Sequence, residues 1–181
     1  MTPYLKKFYI ETIVPELKKT RGYKNVHQIP ALQKVIINSG VNSSLEKNAA
    51  EDTAKQIEAI CGQKPVITKS RKSIANFKLR EGLPIGVKVT LRGPAMYHFV
   101  YKLVSIVLPA IRDFRGVPNK LDGHGNYTLG LNDHTIFPEV TIDSIKRTMG
   151  MDITFVTSAK TDEEAHELLA MLGMPFRKNT K

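Results

Sequence analysis

Apolar and polar positions recur along the chain with two different periods, and each period predicts an element. Residues 85–92, Ile-Gly-Val-Lys-Val-Thr-Leu-Arg, carry the clearest period of two. Val87, Val89 and Leu91 fall on one side, and Gly86, Lys88, Thr90 and Arg92 on the other. Residues 33–39 repeat the pattern in a run rich in β-branched side chains, with Val35 and Ile37 set against Lys34, Ile36 and Asn38. Further strands are expected at 65–69, 127–131 and 152–158. A period near 3.6 predicts helices at 3–20, from 43 to about 61, 94–108 and 162–172. Thr2 and Pro3 open the first, and Pro15 is expected to kink or split it. Ser43 to Glu46 and Thr161 to Glu164 have capping-box spacing, and Gly22, Gly62 and Gly173 stand at the stops. Met96, Phe99, Val100, Leu103, Val104 and Val107 make the helix 94–108 a core element. The tail 177–181 is expected to be loose.

These elements predict a fold class. Parallel sheets buried on both faces read as continuous apolar runs, whereas the strongest strand here is half polar. The expectation is α+β: one mainly antiparallel sheet with helices packed on one face and the other face free to bind. Lys34, Asn38, Lys88, Thr90 and Arg92 are the candidates for that free face. The length of 181 residues favours a single domain over 1–181. Residues 70–84 have no period, hold Gly82 and Pro84, and read as an exposed basic loop.

Charge narrows the function. The chain holds 27 Lys and Arg against 17 Asp and Glu, a net +10, which points to a polyanion: nucleic acid or an anionic membrane. Residues 1–92 carry 17 of the cations and 7 of the anions, so the whole surplus lies there. It peaks at 69–92, where Lys69, Arg71, Lys72, Lys78, Arg80, Lys88 and Arg92 face only Glu81. One face set against phosphates requires such asymmetry; a merely solvated surface does not. No run approaches the roughly 18 apolar residues of a membrane span. The N-terminal stretch has no apolar signal core, and the lone cysteine fits a reducing compartment, so the expected location is cytoplasmic.

Catalytic signatures are missing. His27, His98, His124, His134 and His166 share no metal-ligand spacing with one another or with Cys61, so no metal and no cofactor is expected. There is no P-loop and no nucleophile elbow. Gly123-His-Gly-Asn126 has the look of a phosphate loop but lacks the Lys-Ser/Thr ending, and reads as a turn. An RNA-modifying enzyme would need a cofactor loop or a nucleophile–base pair, and an architectural DNA binder a basic recognition helix. Neither is legible. No aromatic lies on the polar side of 85–92, which favours a folded RNA read by shape over a single strand read by stacking.

Several runs resemble a known family. They are Gly62-Gln-Lys-Pro65, Ile67-Thr-Lys-Ser-Arg-Lys-Ser73, Pro84-Ile-Gly86, Lys88-Val-Thr-Leu-Arg-Gly93, Ile111-Arg-Asp-Phe-Arg-Gly116, Gly125-Asn-Tyr127, Ile136-Phe-Pro-Glu139, Asp152-Ile-Thr154, Ala159-Lys160, Asp162-Glu-Glu164 and Pro175-Phe-Arg-Lys178. In this order, over nearly the whole chain, they resemble family number five of the large-subunit ribosomal proteins, bacterial type. The resemblance implies a non-enzymatic protein, monomeric within the ribosome. It implies binding to 5S rRNA in the central protuberance, beside 23S rRNA and other central-protuberance proteins. It further implies contact with the elbow of the P-site tRNA and a bridge to a small-subunit head protein. Carried over by residue, it assigns 5S rRNA contact to Asn38, Gln63, Thr90 and Arg92, supported by Lys34 and Lys88. The tRNA contact falls on Lys72, Ser73, Asn76, Lys78 and Arg80, and the bridge on Arg112, Asp113, Phe114 and Arg115. Gln63 comes from the resemblance alone. Three positions depart from the family pattern. Asn42 and Asn76 stand where it has Gly, and Asn suits a left-handed turn. His124 stands where it has Arg, which removes a permanent charge.

Overall fold

The computed structural model describes residues 2–42, 48–140 and 147–177. Five strands form one sheet in the order β2-β3-β1-β5-β4. They are β1 (Leu32–Gly40), β2 (Val66–Lys69), β3 (Pro84–Leu91), β4 (Tyr127–Leu131) and β5 (Met151–Thr157). The sheet is antiparallel and the fold α+β, as the half-polar strands predict. The helices are α1 (Tyr4–Phe8), α2 (Val14–Arg21), α3 (Ala49–Cys61), α4 (Gly93–Lys102), α5 (Leu108–Ala110) and α6 (Asp162–Met171). The capping box expected at Ser43–Glu46 lies outside the described residues.

The chain divides into two compact units. The first comprises Met1–Val35, Arg92–Leu129 and Thr154–Lys181; the second comprises Ile36–Leu91 and Gly130–Ile153. Strands β1, β4 and β5 each contribute residues to both.

In the first unit, helices supply most of the core. Leu5, Ile13, Leu17, Phe99, Leu103, Val107 and Leu168 are buried. The helical run continues through Pro15, and its α-helical pattern is interrupted just upstream of it. The chain passes from α1 through a π-helical segment, Tyr9–Ile13, directly into α2, and from α4 through a second, Leu103–Val107, into α5. Each π segment ends two residues before a proline, Pro15 or Pro109. Proline has no N–H and its ring crowds the carbonyl four residues back, so a wider turn relieves both problems. Thr161 caps α6 by accepting the Glu164 N–H at 3.4 Å. The return bond is offset by one residue: the Glu164 carboxylate accepts from the Lys160 N–H at 3.2 Å. Of the tail expected to be loose, residues 178–181 lie outside the described residues, and Arg177 is tied down: its N–H donates to the Val117 carbonyl and its Nε to that of Gly116, both at 2.9 Å.

In the second unit, α3 packs on β2 and β3. Ala50, Thr53, Ile57 and Ile60 form its buried stripe at helical spacing, and Gly62 ends it with φ +68°. Val87, Val89 and Leu91 are buried opposite. The buried polar side chains of this unit, among the described residues, are Ser39, Thr53, Ser70 and His134. His134 is fully buried, and its Nδ1 accepts the Met149 N–H at 3.2 Å, which requires the neutral ring. Burial pushes this imidazole below its ordinary 6.5, and the Asp133 carboxylate opposes the shift without reversing it. An unfolded histidine takes up a proton as the pH falls through about 6.5, while the folded one resists. Acid therefore pulls toward the unfolded chain. Denaturant midpoints of the wild type are expected to fall between pH 7.5 and 5.5 more steeply than those of His134→Gln; parallel profiles would refute this.

Candidate nucleic-acid interface

In the second unit, the sheet side opposite α3 carries exposed side chains among the described residues. Alternation puts Val66 and Thr68 of β2, Lys88 and Thr90 of β3, and Ile36 and Asn38 of β1 on it. Val66 pairs with Lys88, and Thr68 with Gly86. The Val41 N–H donates to the Ile85 carbonyl at 2.9 Å, aligning β1 antiparallel to β3 so that Asn38 comes opposite Lys88 and Ile36 opposite Thr90. Gly86 permits this close pairing. A Cβ there would lie 3.0 Å from both the Ser39 carbonyl oxygen and Thr68 Oγ1. Gln63 follows the left-handed Gly62 that ends α3, and its Nε2 donates to the Thr90 carbonyl at 3.3 Å. Asn38, Lys88 and Thr90 thus share one side of the sheet in this unit, and Gln63 is tied to the β3 backbone at Thr90.

The other candidates of this group lie in the first unit. Lys34 is half-buried on β1. Arg92 is exposed at the start of α4, and its extended backbone (φ −138°, ψ 164°) continues the alternation of β3 by one step. Arg112 to Arg115 follow α5. Arg112, Asp113 and Arg115 are exposed, Phe114 is half-buried, and Asp113 takes φ 52°.

The basic loop has more structure than its composition shows. Residues 71–78 are all exposed, yet the backbone closes on itself. Ile74 and Leu79 exchange N–H···O bonds of 3.0 and 3.1 Å around a short turn, Ala75–Phe77. At the base of the loop, the Ser70 N–H donates to the Leu83 carbonyl and the Gly82 N–H to that of Ser70. The Ser73 hydroxyl accepts the Glu81 N–H at 3.0 Å. Lys72, Asn76, Lys78 and Arg80 project from this frame. Lys78, not Asn76, takes the left-handed backbone, and Asn42 has negative φ as well. Asn76 stands inside the short turn Ala75–Phe77, where its tolerance of left-handed backbone is not called on. Phe77, 69% exposed, forms the tip with Ile74. Sequence reasoning passed over both; the available signal was an aromatic among lysines in a segment without a period.

Electrostatically, these surfaces are uncompensated. Among the described residues, Lys34, Lys72, Lys78, Arg80, Lys88 and Arg92 have no ion-pair or hydrogen-bond partner for their side chains. Such cations can neutralise phosphates and release counterions, while Asn, Gln and Thr supply hydrogen bonds to sugars and phosphates. The phosphate-loop lookalike at 123–126 does something else. The amides of Gly123 and Gly125 donate to the Asp162 carboxylate at 3.0 and 2.9 Å. An internal carboxylate fills that cradle, so it is a turn, and His124 sits exposed on its rim.

Known proteins resemble this chain closely. Residues 25–80 match the family described as ribosomal protein L5, and residues 84–176 match the ribosomal L5P family C-terminus. The large ribosomal subunit protein uL5 of Protochlamydia amoebophila is 59% identical over 174 residues, covering 96% of this chain and 94% of that one. Those of Fervidobacterium nodosum and Kosmotoga olearia are each 56% identical over 176 residues, 96% of both chains. The chain belongs to the ribosomal L5 family. It is a structural protein of the large ribosomal subunit, not an enzyme, and its compartment is the cytoplasm. RNA binding and translation follow from that membership. The basic, unpartnered sheet side and loop now have a ribonucleoprotein context in which to be read.

Proposed function

We propose that this ribosomal L5 family member binds 5S rRNA in the central protuberance through the sheet side opposite α3, using Asn38, Gln63, Lys88 and Thr90, with Lys34 and Arg92. The observation that carries this reading is exposed Lys88, which has no side-chain partner among the described residues, on the strand side opposite α3, with the Gln63 amide bonded to the Thr90 carbonyl two residues along the same strand. Lysine and arginine supply affinity, and the uncharged side chains fix register. The same reading gives the loop 70–84 to the P-site tRNA, through Lys72, Ser73, Asn76, Lys78 and Arg80. It gives Arg112, Asp113, Phe114 and Arg115 to the bridge with a small-subunit head protein, with 23S rRNA and other central-protuberance proteins as neighbours.

A titration of the purified chain against 5S rRNA, tRNA and a random duplex at moderate salt tests the reading. 5S rRNA should bind tightest, and equal affinities would sink specific recognition. Thr90→Val keeps the shape and removes the hydroxyl. It is expected to weaken 5S rRNA binding by roughly 1–3 kcal/mol, because a buried polar group on the RNA loses its partner. An unchanged dissociation constant would remove Thr90 from the interface.

A further inference from the structure

Within the first unit, α1, the α4 helix with its π segment, and the end of α6 enclose a groove of about 280 Å³. Tyr4, Leu5, Phe8, Tyr101, Val104 and Met171 line it. Tyr4 is 67% exposed and Tyr101 45%. Large apolar side chains that share an exposed groove mark an interaction site more often than bare surface. The rings already engage one another. Tyr4 meets Tyr101 edge-on at 5.9 Å and stacks over Phe8 at 6.3 Å. This arrangement forms an apolar wall rather than an open platform for a base, and it suits the end of a bulky side chain. The charge of the walls selects the partner's sign. Residues 1–10 and 93–112 contain no Asp or Glu, and Lys6 and Lys7 lie on α1 between the lining residues Leu5 and Phe8, whereas α6 carries Asp162, Glu163 and Glu164 in its first turn, away from the end that lines the groove, and Glu167 pairs with Arg21 at 2.7 Å.

We infer that this groove docks a protein partner in the assembled large subunit, accepting one bulky apolar side chain from an acidic segment. Exposed tyrosines anchor such contacts because the ring packs while the hydroxyl stays wet. Lys6 and Lys7, beside the lining residues of α1, steer and hold the acidic flank. None of the side chains proposed for RNA lines this groove.

Photo-crosslinking in purified large subunits tests it, with the photoreactive p-benzoylphenylalanine in place of the 45% exposed Tyr101. The expected result is an adduct to a protein segment with acidic residues flanking the linked side chain. Tyr4→Ala in the same particle should cut the adduct yield about tenfold, as loss of an anchor does. Lys7→Glu, which removes no buried packing, should cut it about threefold. An adduct to rRNA, an adduct to a segment without acidic residues, no adduct, or yields indifferent to both substitutions would each overturn the inference. The Tyr4→Ala chain should still bind 5S rRNA with unchanged affinity, so failure of the groove and failure of the RNA reading give different results.

Discussion

Gly125→Ala is expected to destabilise the chain by about 2–4 kcal/mol, combining left-handed strain with steric overlap. Gly125 has φ +76°, and a Cβ there would lie 2.7 Å from the Ala159 carbonyl oxygen and 3.2 Å from its carbon. Neither side can yield cheaply. The Gly125 N–H donates to Asp162, and its carbonyl accepts from Thr157 Oγ1 at 2.6 Å. That same hydroxyl oxygen accepts the Ala159 N–H at 3.1 Å. One hydroxyl therefore ties both backbones that the new methyl would push apart. Gly123 provides the control: its φ is +87°, with nothing within 4 Å of a built Cβ. Gly123→Ala should cost only the conformational part, about 1–2 kcal/mol. Urea denaturation of the two variants decides the matter, and equal losses would show that the approach to Ala159 is not limiting.

The second large effect concerns binding. The double variant Asn38→Asp, Lys88→Glu places two anions side by side on the sheet side opposite α3, where one neutral and one cationic group now stand. Both positions are exposed, so the fold should tolerate the change. Losing hydrogen bonds to charged groups at about 1.5–3 kcal/mol apiece predicts a fall in 5S rRNA affinity of about 10²–10⁴-fold. The dependence on salt should also flatten, since every phosphate left without its cation lowers the log–log slope by about 0.7–0.9. Filter binding between low and moderate salt measures both quantities. A variant that binds with wild-type affinity and slope would show that RNA does not lie on this side of the sheet.

Much of this architecture was written in simple periods. Val87, Val89 and Leu91 alternate with Lys88 and Thr90 because a pleated strand with one buried side has no other solution. Gly62 could be read as the end of α3 because a left-handed stop favours glycine. The π segments escaped notice because they depend on how a helix accommodates a downstream proline, which hydrophobic spacing does not encode. The order inside residues 70–84 was equally hidden, since backbone groups supply most of its hydrogen bonds and almost any side chains permit them. Gly86 read only as a polar-side residue; its tight approach to Ser39 and Thr68 is a property of three strands together. Gln63 needed the family resemblance, because only the folded chain brings it to the Thr90 carbonyl.

The self-bonded loop at 70–84 also has a kinetic meaning. Fixing a flexible backbone costs about 1–2 kcal/mol per residue, and a segment that ordered only on contact would meet that cost at every encounter. Here folding has met it in advance. An arm of this kind can touch a passing partner and let go without a refolding step in either direction, so encounter and release, rather than a search through loop conformations, set the pace. That suits a brief contact repeated many times better than a permanent one.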